Sequence, residues 1–116
     1  MTDDLAWLTV PDFADRLGTT ASRVREMLRE GELLAVRRGE RQTLQIPAGV
    51  IVDGEAGPEV LATLRGTLTL LRDAGMDDAE MAAWLMADEP ELGMSPLDAL
   101  REGRRAHVRR IAQTLL

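Results

Sequence analysis

The chain has 116 residues, 45% of them hydrophobic and 29% charged, a composition typical of one globular domain or of two very small ones that share a core. It contains no cysteine, which excludes disulfides, thiolate metal sites and thiol nucleophiles, and it contains a single histidine. All 14 basic residues are arginine, and the formal net charge of −6 argues against a nucleic-acid partner if that charge is evenly spread.

The charge is in fact unevenly spread along the chain. Residues 16–41 carry seven arginines and four acidic residues, residues 51–100 carry two arginines and eleven acidic residues, and residues 101–116 carry five arginines and one acidic residue. A polyanion responds to the local field within a Debye length, roughly 8 Å at physiological salt. The sequence therefore predicts a basic N-terminal module, an acidic middle and a short basic end.

No apolar run approaches the roughly 20 residues that a membrane-spanning helix needs. The N-terminal sequence MTDDLAWL has no basic stretch ahead of an apolar one, as a secretory signal would have. We therefore expect a cytoplasmic, nucleoid-associated protein with no membrane partner.

Two short helices are predicted in the first thirty residues. Thr9 or Val10 precedes a proline and an acidic residue and is the expected N-cap of the first helix, which ends at Gly18. Thr19 or Thr20 is the expected N-cap of the second helix, which continues to about residue 30. Because the link between the helices is so short, we expect a steep crossing rather than an antiparallel pair.

A β-hairpin is predicted after the second helix. From Leu34 to Ile46 apolar residues alternate with polar ones on both sides of a turn formed by residues 38–41. The inner face of this hairpin can cover the helix pair. Its tip carries Arg37, Arg38 and Arg41.

The stretch from Leu8 to Pro47 resembles a winged helix-turn-helix of the MerR or excisionase-like kind. The small Ala14, the turn at Gly18 four residues later, and the apolar Val24 and Met27 fall at the positions that this motif requires. The arginine-tipped hairpin that follows corresponds to the wing. The resemblance implies a unit that binds double-stranded DNA.

A helix with one exposed side fits the major groove, where its side chains reach base edges while basic residues around it neutralise phosphates. In the second helix the exposed side has Glu26 at its centre, which suits DNA only if it accepts a hydrogen bond from a cytosine amine. The wing arginines can enter a minor groove or contact the backbone. The residues expected to contact DNA are Thr20, Ser22, Arg23, Arg25, Glu26, Arg29, Arg37, Arg38 and Arg41.

The second half of the chain is predicted to be helical. Residues 54–58 have the composition of a linker, and a helix is predicted from there to about residue 74. A second helix follows a capping box of Asp77 and Glu80, and a third begins at Ser95. The predicted fold class is mainly α with a small β-hairpin wing: a winged helix-turn-helix domain at residues 1–53 and a three-helix C-terminal domain at residues 54–116.

This half is similar to the C-terminal domain of the mycobacterial Rv2175c-type winged-helix DNA-binding proteins. The similarity is carried by Trp84-Leu85, by Ser95-Pro96-Leu97-Asp98-Ala99-Leu100 and by Val108-Arg109-Arg110, in the same order as in that family. Together with the N-terminal match, the resemblance spans nearly the whole chain. We expect this N-terminus to lack the long tail of the mycobacterial form, so any regulation that resides in that tail is not carried over.

The segment Leu92-Gly93-Met94-Ser95-Pro96-Leu97 is also similar to the toxin-binding domain of Xre/MbcA/ParS-type antitoxins. That similarity implies an alternative function, in which the C-terminal helices bind and mask a toxin and DNA binding is secondary. Two further interpretations stay open. In the first, Trp84 is only a core anchor and Ser95 is an ordinary helix cap. In the second, the C-terminal helices form the contact between two copies of the chain.

Catalysis is not expected. His107 lies among arginines rather than near further metal ligands, and the chain has no Walker-type or Gly-x-Gly-x-x-Gly phosphate loop. Acidic pairs such as Asp77-Asp78 and Asp88-Glu89 fall at a helix cap and in a loop. We therefore expect no cofactor and no metal. The favoured function is a DNA-binding transcriptional regulator whose C-terminal helices support it, dimerise it or recruit a protein partner.

Overall fold

A computed structural model describes residues 6–116, in which two helices and a small sheet precede a group of four helices. The first elements are β1 (Trp7–Thr9), α1 (Val10–Leu17), α2 (Ala21–Arg29), β2 (Val36–Arg38) and β3 (Thr43–Pro47). After a 3-10 turn at Ala48–Val50 come β4 (Ile51–Gly54), β5 (Gly57–Val60), α3 (Leu64–Asp73), α4 (Asp78–Met86), α5 (Pro96–Arg101) and α6 (Arg105–Gln113). The predicted fold class is confirmed: a winged helix-turn-helix is followed by a helical module. The expectation about a signal sequence concerns residues 1–8, of which residues 1–5 lie outside the described residues.

The ends of α1 and α2 are those that the sequence predicts. Thr9 and Thr20 are the N-caps, because each hydroxyl oxygen accepts a hydrogen bond from the amide three residues later, at 3.3 and 3.1 Å. Gly18 follows α1 with a φ of 82°, a left-handed conformation that glycine adopts without steric cost. Three residues therefore suffice to turn the chain from one helix into the next.

The wing is part of a three-stranded antiparallel sheet with the strand order β1-β3-β2. The sequence predicts the hairpin of β2 and β3 but not β1, because three residues are too few to show the alternation that identifies a strand. Leu8 of β1 pairs with Ile46 of β3. Because α1 begins directly after β1, this ladder fixes the first helix to the wing.

The prediction of a linker at residues 54–58 is wrong. β4 and β5 form an antiparallel hairpin in which Ile51 pairs with Val60 and Gly54 pairs with Gly57. The glycines and the proline of this stretch form a tight turn rather than a flexible connection, because the β-branched residues on either side favour a strand. The predicted helix start near residue 58 is wrong for the same reason, and α3 begins at Leu64.

The caps predicted for α4 and α5 are confirmed. Asp77 Oδ1 accepts from the amide of Glu80 at 2.9 Å, and Glu80 Oε1 accepts from the amide of Asp77 at 3.0 Å. Ser95 Oγ accepts from the amide of Asp98 at 3.1 Å. The segment predicted as one final helix is two helices, because Gly103 adopts a φ of 85° and ends α5 before α6 begins.

Apolar side chains from both halves of the chain form one buried cluster. Phe13 of α1, Val24 of α2 and Ile46 of the wing have no exposed surface, and neither have Leu68 of α3 and Leu85 of α4. The boundary that the sequence predicts between the two domains, between residues 53 and 54, falls inside β4. The division into two domains stays a prediction.

We predict that Leu68→Ala lowers the free energy of unfolding by about 2–5 kcal/mol, because it leaves a cavity where α3 enters the shared cluster. The control is Leu115→Ala, the same truncation at a side chain that is 40% exposed, with an expected loss below about 0.5 kcal/mol. Urea denaturation followed by circular dichroism measures both. Equal losses in the two variants would contradict the position of α3 in the core.

Candidate nucleic-acid interface

Helix α2 has one buried side and one exposed side. Val24 is fully buried and Met27 is 7% exposed, whereas Ser22, Arg25 and Arg29 are exposed. The exposed residues lie three and four positions apart, so they project from the same side of the helix. We call this surface, made of Ser22, Arg25 and Arg29, the α2 face.

Arg23 lies beside the α2 face and forms ion pairs. Its Nη1 atom is 2.5 Å from Glu26 Oε1 and 3.6 Å from Glu30 Oε1, and all three side chains are about half exposed. Exposed ion pairs of this kind contribute about 0–1 kcal/mol, so the pairing is weak and accessible to competing anions. Within residues 6–116 these are the only ion pairs, which leaves Arg25 and Arg29 with no carboxylate within 4 Å.

The wing directs its arginines to opposite sides of the sheet. Successive residues of a strand point to opposite faces, so Arg37 and Arg38 diverge. Arg38 shares its face with Val36 and Trp7, which together with α4 line a shallow groove. Arg37 shares the other face with Leu44, on the side that packs on α1. The sequence places these two arginines together at the tip, and the structure separates them.

Each wing arginine has its own environment. The guanidinium of Arg38 lies 4.4 Å from the ring centre of Trp7, a cation–π contact that holds it against the sheet. Arg37 Nη1 donates to the carbonyl of Gln42 at 3.2 Å and thereby closes the loop at the tip. Arg41 is exposed within that loop. Arg37 and Arg41 therefore carry the positive charge at the tip of the wing.

Thr20 and Glu26 differ from the other residues expected to contact DNA. The hydroxyl oxygen of Thr20 accepts from the amide of Arg23, so this side chain holds the first turn of α2. Glu26 faces solvent but is paired with Arg23. Both lie next to the α2 face and help to fix its shape and charge.

Two residues that shape this surface were not found by sequence reasoning. Trp7 lies in the unpredicted strand β1 and holds Arg38. Arg72 of α3 donates to the carbonyl of Gly31, just after the end of α2, at 2.9 Å. The signal that could have found Arg72 is its position as one of two arginines in the otherwise acidic stretch 51–100.

Similarity to known proteins covers both halves of the chain. A family model described as "DNA-binding protein Rv2175c, wHTH domain" matches residues 1–50, and one described as "Rv2175c C-terminal domain of unknown function" matches residues 61–115. The Mycobacterium tuberculosis protein named "DNA-binding protein Rv2175c" is 32% identical over 121 residues, which cover 91% of this chain and 77% of that protein. The chain belongs to the Rv2175c family.

The fold agrees with this assignment. A solved structure titled "NMR structure of Rv2175c" matches with a TM-score of 0.80 at 33% identity, over 94% of this chain and 80% of that one. The resemblance to the Rv2175c family that the sequence predicts is therefore confirmed. Ser95 caps α5, as the simpler interpretation expects, whereas Trp84 is only half-buried and packs against the core from outside it. The antitoxin alternative and the homodimer contact stay predictions.

The part of the chain from residue 6 onward contains no group of three or more His, Cys, Asp or Glu side chains that could hold a metal ion. His107 Nδ1 lies 3.3 Å from Arg104 Nη2 rather than beside a carboxylate. Over the same residues no helix is long and apolar enough to cross a membrane.

We predict that Thr20→Ala lowers the free energy of unfolding by about 1 kcal/mol, because the first turn of α2 loses its cap. Thr20→Ser keeps the hydroxyl oxygen and should restore most of that loss. Thermal denaturation of the two variants beside the parent protein measures the effect. A Thr20→Ser variant as unstable as Thr20→Ala would show that the hydroxyl does not act as the cap.

Proposed function

We propose that this member of the Rv2175c family binds double-stranded DNA, with α2 in the major groove and the wing against the neighbouring backbone or minor groove. The observation that carries the proposal is the α2 face, an arginine-bearing surface on a helix whose other side is fully anchored in the core. The relative named as a DNA-binding protein supports it.

Arg25 and Arg29 are the residues that we propose to contact DNA from α2. They are exposed and free of carboxylate partners among residues 6–116, so binding a phosphate or a guanine edge breaks no existing ion pair. Ser22 lies on the same side, one turn closer to the start of the helix, and can contact a phosphate or a base edge. Arg23 contributes after exchanging Glu26 for a phosphate, an exchange between two charged partners in water that costs little.

Arg37 and Arg41 are the wing residues that we propose to contact DNA. Arg37 projects on the side of the sheet that packs on α1, and Arg41 lies in the exposed loop. Arg38 adds positive charge to the field from its position on Trp7. Because its guanidinium is stacked there, we assign it a supporting role in place of the direct contact expected from the sequence.

The finer function that we propose is a transcriptional regulator with some sequence preference. Arginine side chains on a major-groove helix can read guanine by paired hydrogen bonds to O6 and N7, which gives sequence preference beyond attraction to phosphate. The acidic stretch at residues 51–100 repels DNA, so it favours approach through the basic N-terminal module. We propose a binding protein of the nucleoid rather than an enzyme.

The test removes two charges from the α2 face. In Arg25→Gln with Arg29→Gln, we expect the affinity for a duplex to fall at least tenfold, and the slope of log affinity against log salt to fall by roughly 2, about 0.9 for each phosphate that is no longer neutralised. The matched control is Arg65→Gln with Arg105→Gln, which removes two exposed arginines from α3 and α6. Fluorescence anisotropy across a salt series gives both quantities.

The outcomes separate three cases. Weaker binding by the α2-face pair with little change in the control supports the proposed surface. Equal weakening in both pairs would mean that net charge alone governs binding. A parent protein that fails to bind duplex at low salt would reject the proposed function.

We also predict that Glu26→Gln raises the affinity for random duplex by about threefold, because it removes a negative charge beside the α2 face and releases Arg23. Glu91→Gln, in an exposed loop of the C-terminal half, removes the same charge and should leave the affinity unchanged. The same anisotropy titration measures both variants. An unchanged affinity in Glu26→Gln would place Glu26 away from the phosphates.

A further inference from the structure

Residues 31–35 join α2 to the wing and have a defined path. The two hydrogen bonds of a Schellman motif close the last turn of α2, with the amides of Gly31 and Glu32 as donors. Leu33 and Leu34 follow with no exposed surface. The angle between the α2 face and the wing therefore depends on how this segment is held.

Two side chains of the C-terminal half bind this segment near its two ends. Arg72, in the last turn of α3, donates from Nη1 to the carbonyl of Gly31 at 2.9 Å and from Nη2 to the carbonyl of Leu33 at 3.4 Å. Asp78, the first residue of α4, accepts the amide of Ala35 through Oδ2 at 3.1 Å. Since α3 and α4 are consecutive, both side chains flank a single turn. We call Arg72, Asp78 and the turn between them the brace.

The chemistry of these contacts suits a positioning role. Carbonyls just beyond the end of a helix carry partial negative charge, which a guanidinium satisfies. The planar fork of Arg72 reaches two carbonyls at once, whereas a lysine ammonium is a single point charge. All three hydrogen bonds are partly buried, so losing one leaves a polar group that water reaches poorly.

We infer that the brace is a function of the C-terminal half: it sets the angle between the α2 face and the wing, and Arg72 and Asp78 are positioning residues for DNA binding. The inference rests on the proposed function. Fixing the Gly31 carbonyl holds the end of α2, and fixing the Ala35 amide holds the residue before β2. Both parts of the interface then meet DNA without an ordering cost at the moment of binding.

The experiment compares Arg72→Gln with Arg65→Gln, which removes the same charge from an exposed position of the same helix. Arg72→Lys keeps the charge but not the fork. Val108→Ala, a truncation in α6 at a fully buried site, lowers stability without touching the brace. Each variant is studied at a temperature where its unfolding curve shows it to be folded.

The first measurement uses no DNA. Amide hydrogen exchange should become at least about tenfold faster at Glu32 and Ala35 in Arg72→Gln, since the segment opens locally when it loses a partner. Arg72→Lys should recover part of the protection, and Arg65→Gln should match the parent protein. Unchanged exchange in Arg72→Gln would overturn the brace itself, whatever the protein binds.

The second measurement is duplex affinity across a salt series. Arg72→Gln should weaken binding by roughly fivefold to tenfold with an unchanged salt slope, because the segment must then be ordered when DNA binds while every arginine that contacts phosphate is kept. Arg65→Gln and Val108→Ala should bind as the parent protein does. Faster exchange with unchanged affinity would overturn the positioning role, and so would a reduced salt slope, which marks a direct contact. Absence of binding by the parent protein rejects the proposed function instead, while the exchange result still decides whether the brace exists.

Discussion

Burial of the segment between α2 and the wing is the constraint on which the rest of this structure depends. Leu33 and Leu34 have no exposed surface and Ala35 is 9% exposed. Three consecutive residues with so little exposed surface need protein on more than one side. The helix pair with its sheet provides one side, and α3 and α4 provide the other. Side chains of the C-terminal helices therefore contact this segment, and both halves contribute to one buried cluster.

The arginines divide into two groups by what their guanidinium groups bind. Arg72 donates to the carbonyls of Gly31 and Leu33, Arg101 donates to those of Gly49 and Ile51, and Arg104 donates to that of Leu92. These arginines join separate segments of the chain, a task for which a rigid fork of donors is better suited than an ammonium. Arg25, Arg29 and Arg41 are exposed and, among residues 6–116, donate no side-chain hydrogen bond to the protein. Because all 14 basic residues are arginine, the same residue type provides the contacts that join separate segments and the positive charge of the exposed surface.

Local signals predicted the local features of this fold well. The caps at Thr9, Thr20, Asp77 and Ser95 are each set by one side chain and an amide three residues away, so a short stretch of sequence contains all the information. The strands β1, β4 and β5 escaped detection because they are three or four residues long and two of them flank a turn rich in glycine and proline. β1 also pairs with β3, a strand that is distant in sequence, so no local pattern shows that pairing.

The candidate site was predictable only in part, because some of its contacts join residues that are far apart in the sequence. Helical spacing identified the exposed side of α2, because Val24 and Met27 mark the buried side. The sequence prediction placed Arg37 and Arg38 together at the tip of the wing, whereas the structure directs them to opposite faces of the sheet, and which of them faces α4 depends on how the two halves pack. The contact of Arg72 with Gly31 spans 41 residues of sequence, and no local pattern encodes a pairing of that range.

That long-range pairing also explains why a glycine is needed at position 31 more strictly than at position 18. Both glycines end a helix with a positive φ, 82° at Gly18 and 78° at Gly31, so a side chain at either position is strained. A Cβ at Gly18 would meet nothing within 4 Å, whereas a Cβ at Gly31 would lie 3.1 Å from Arg72 Nη1. Because that guanidinium donates to two carbonyls, withdrawing it by a few tenths of an ångström would lengthen these hydrogen bonds. The positive φ favours glycine at both positions, and at position 31 the Arg72 side chain of α3 adds a second reason, which links the two halves of the chain.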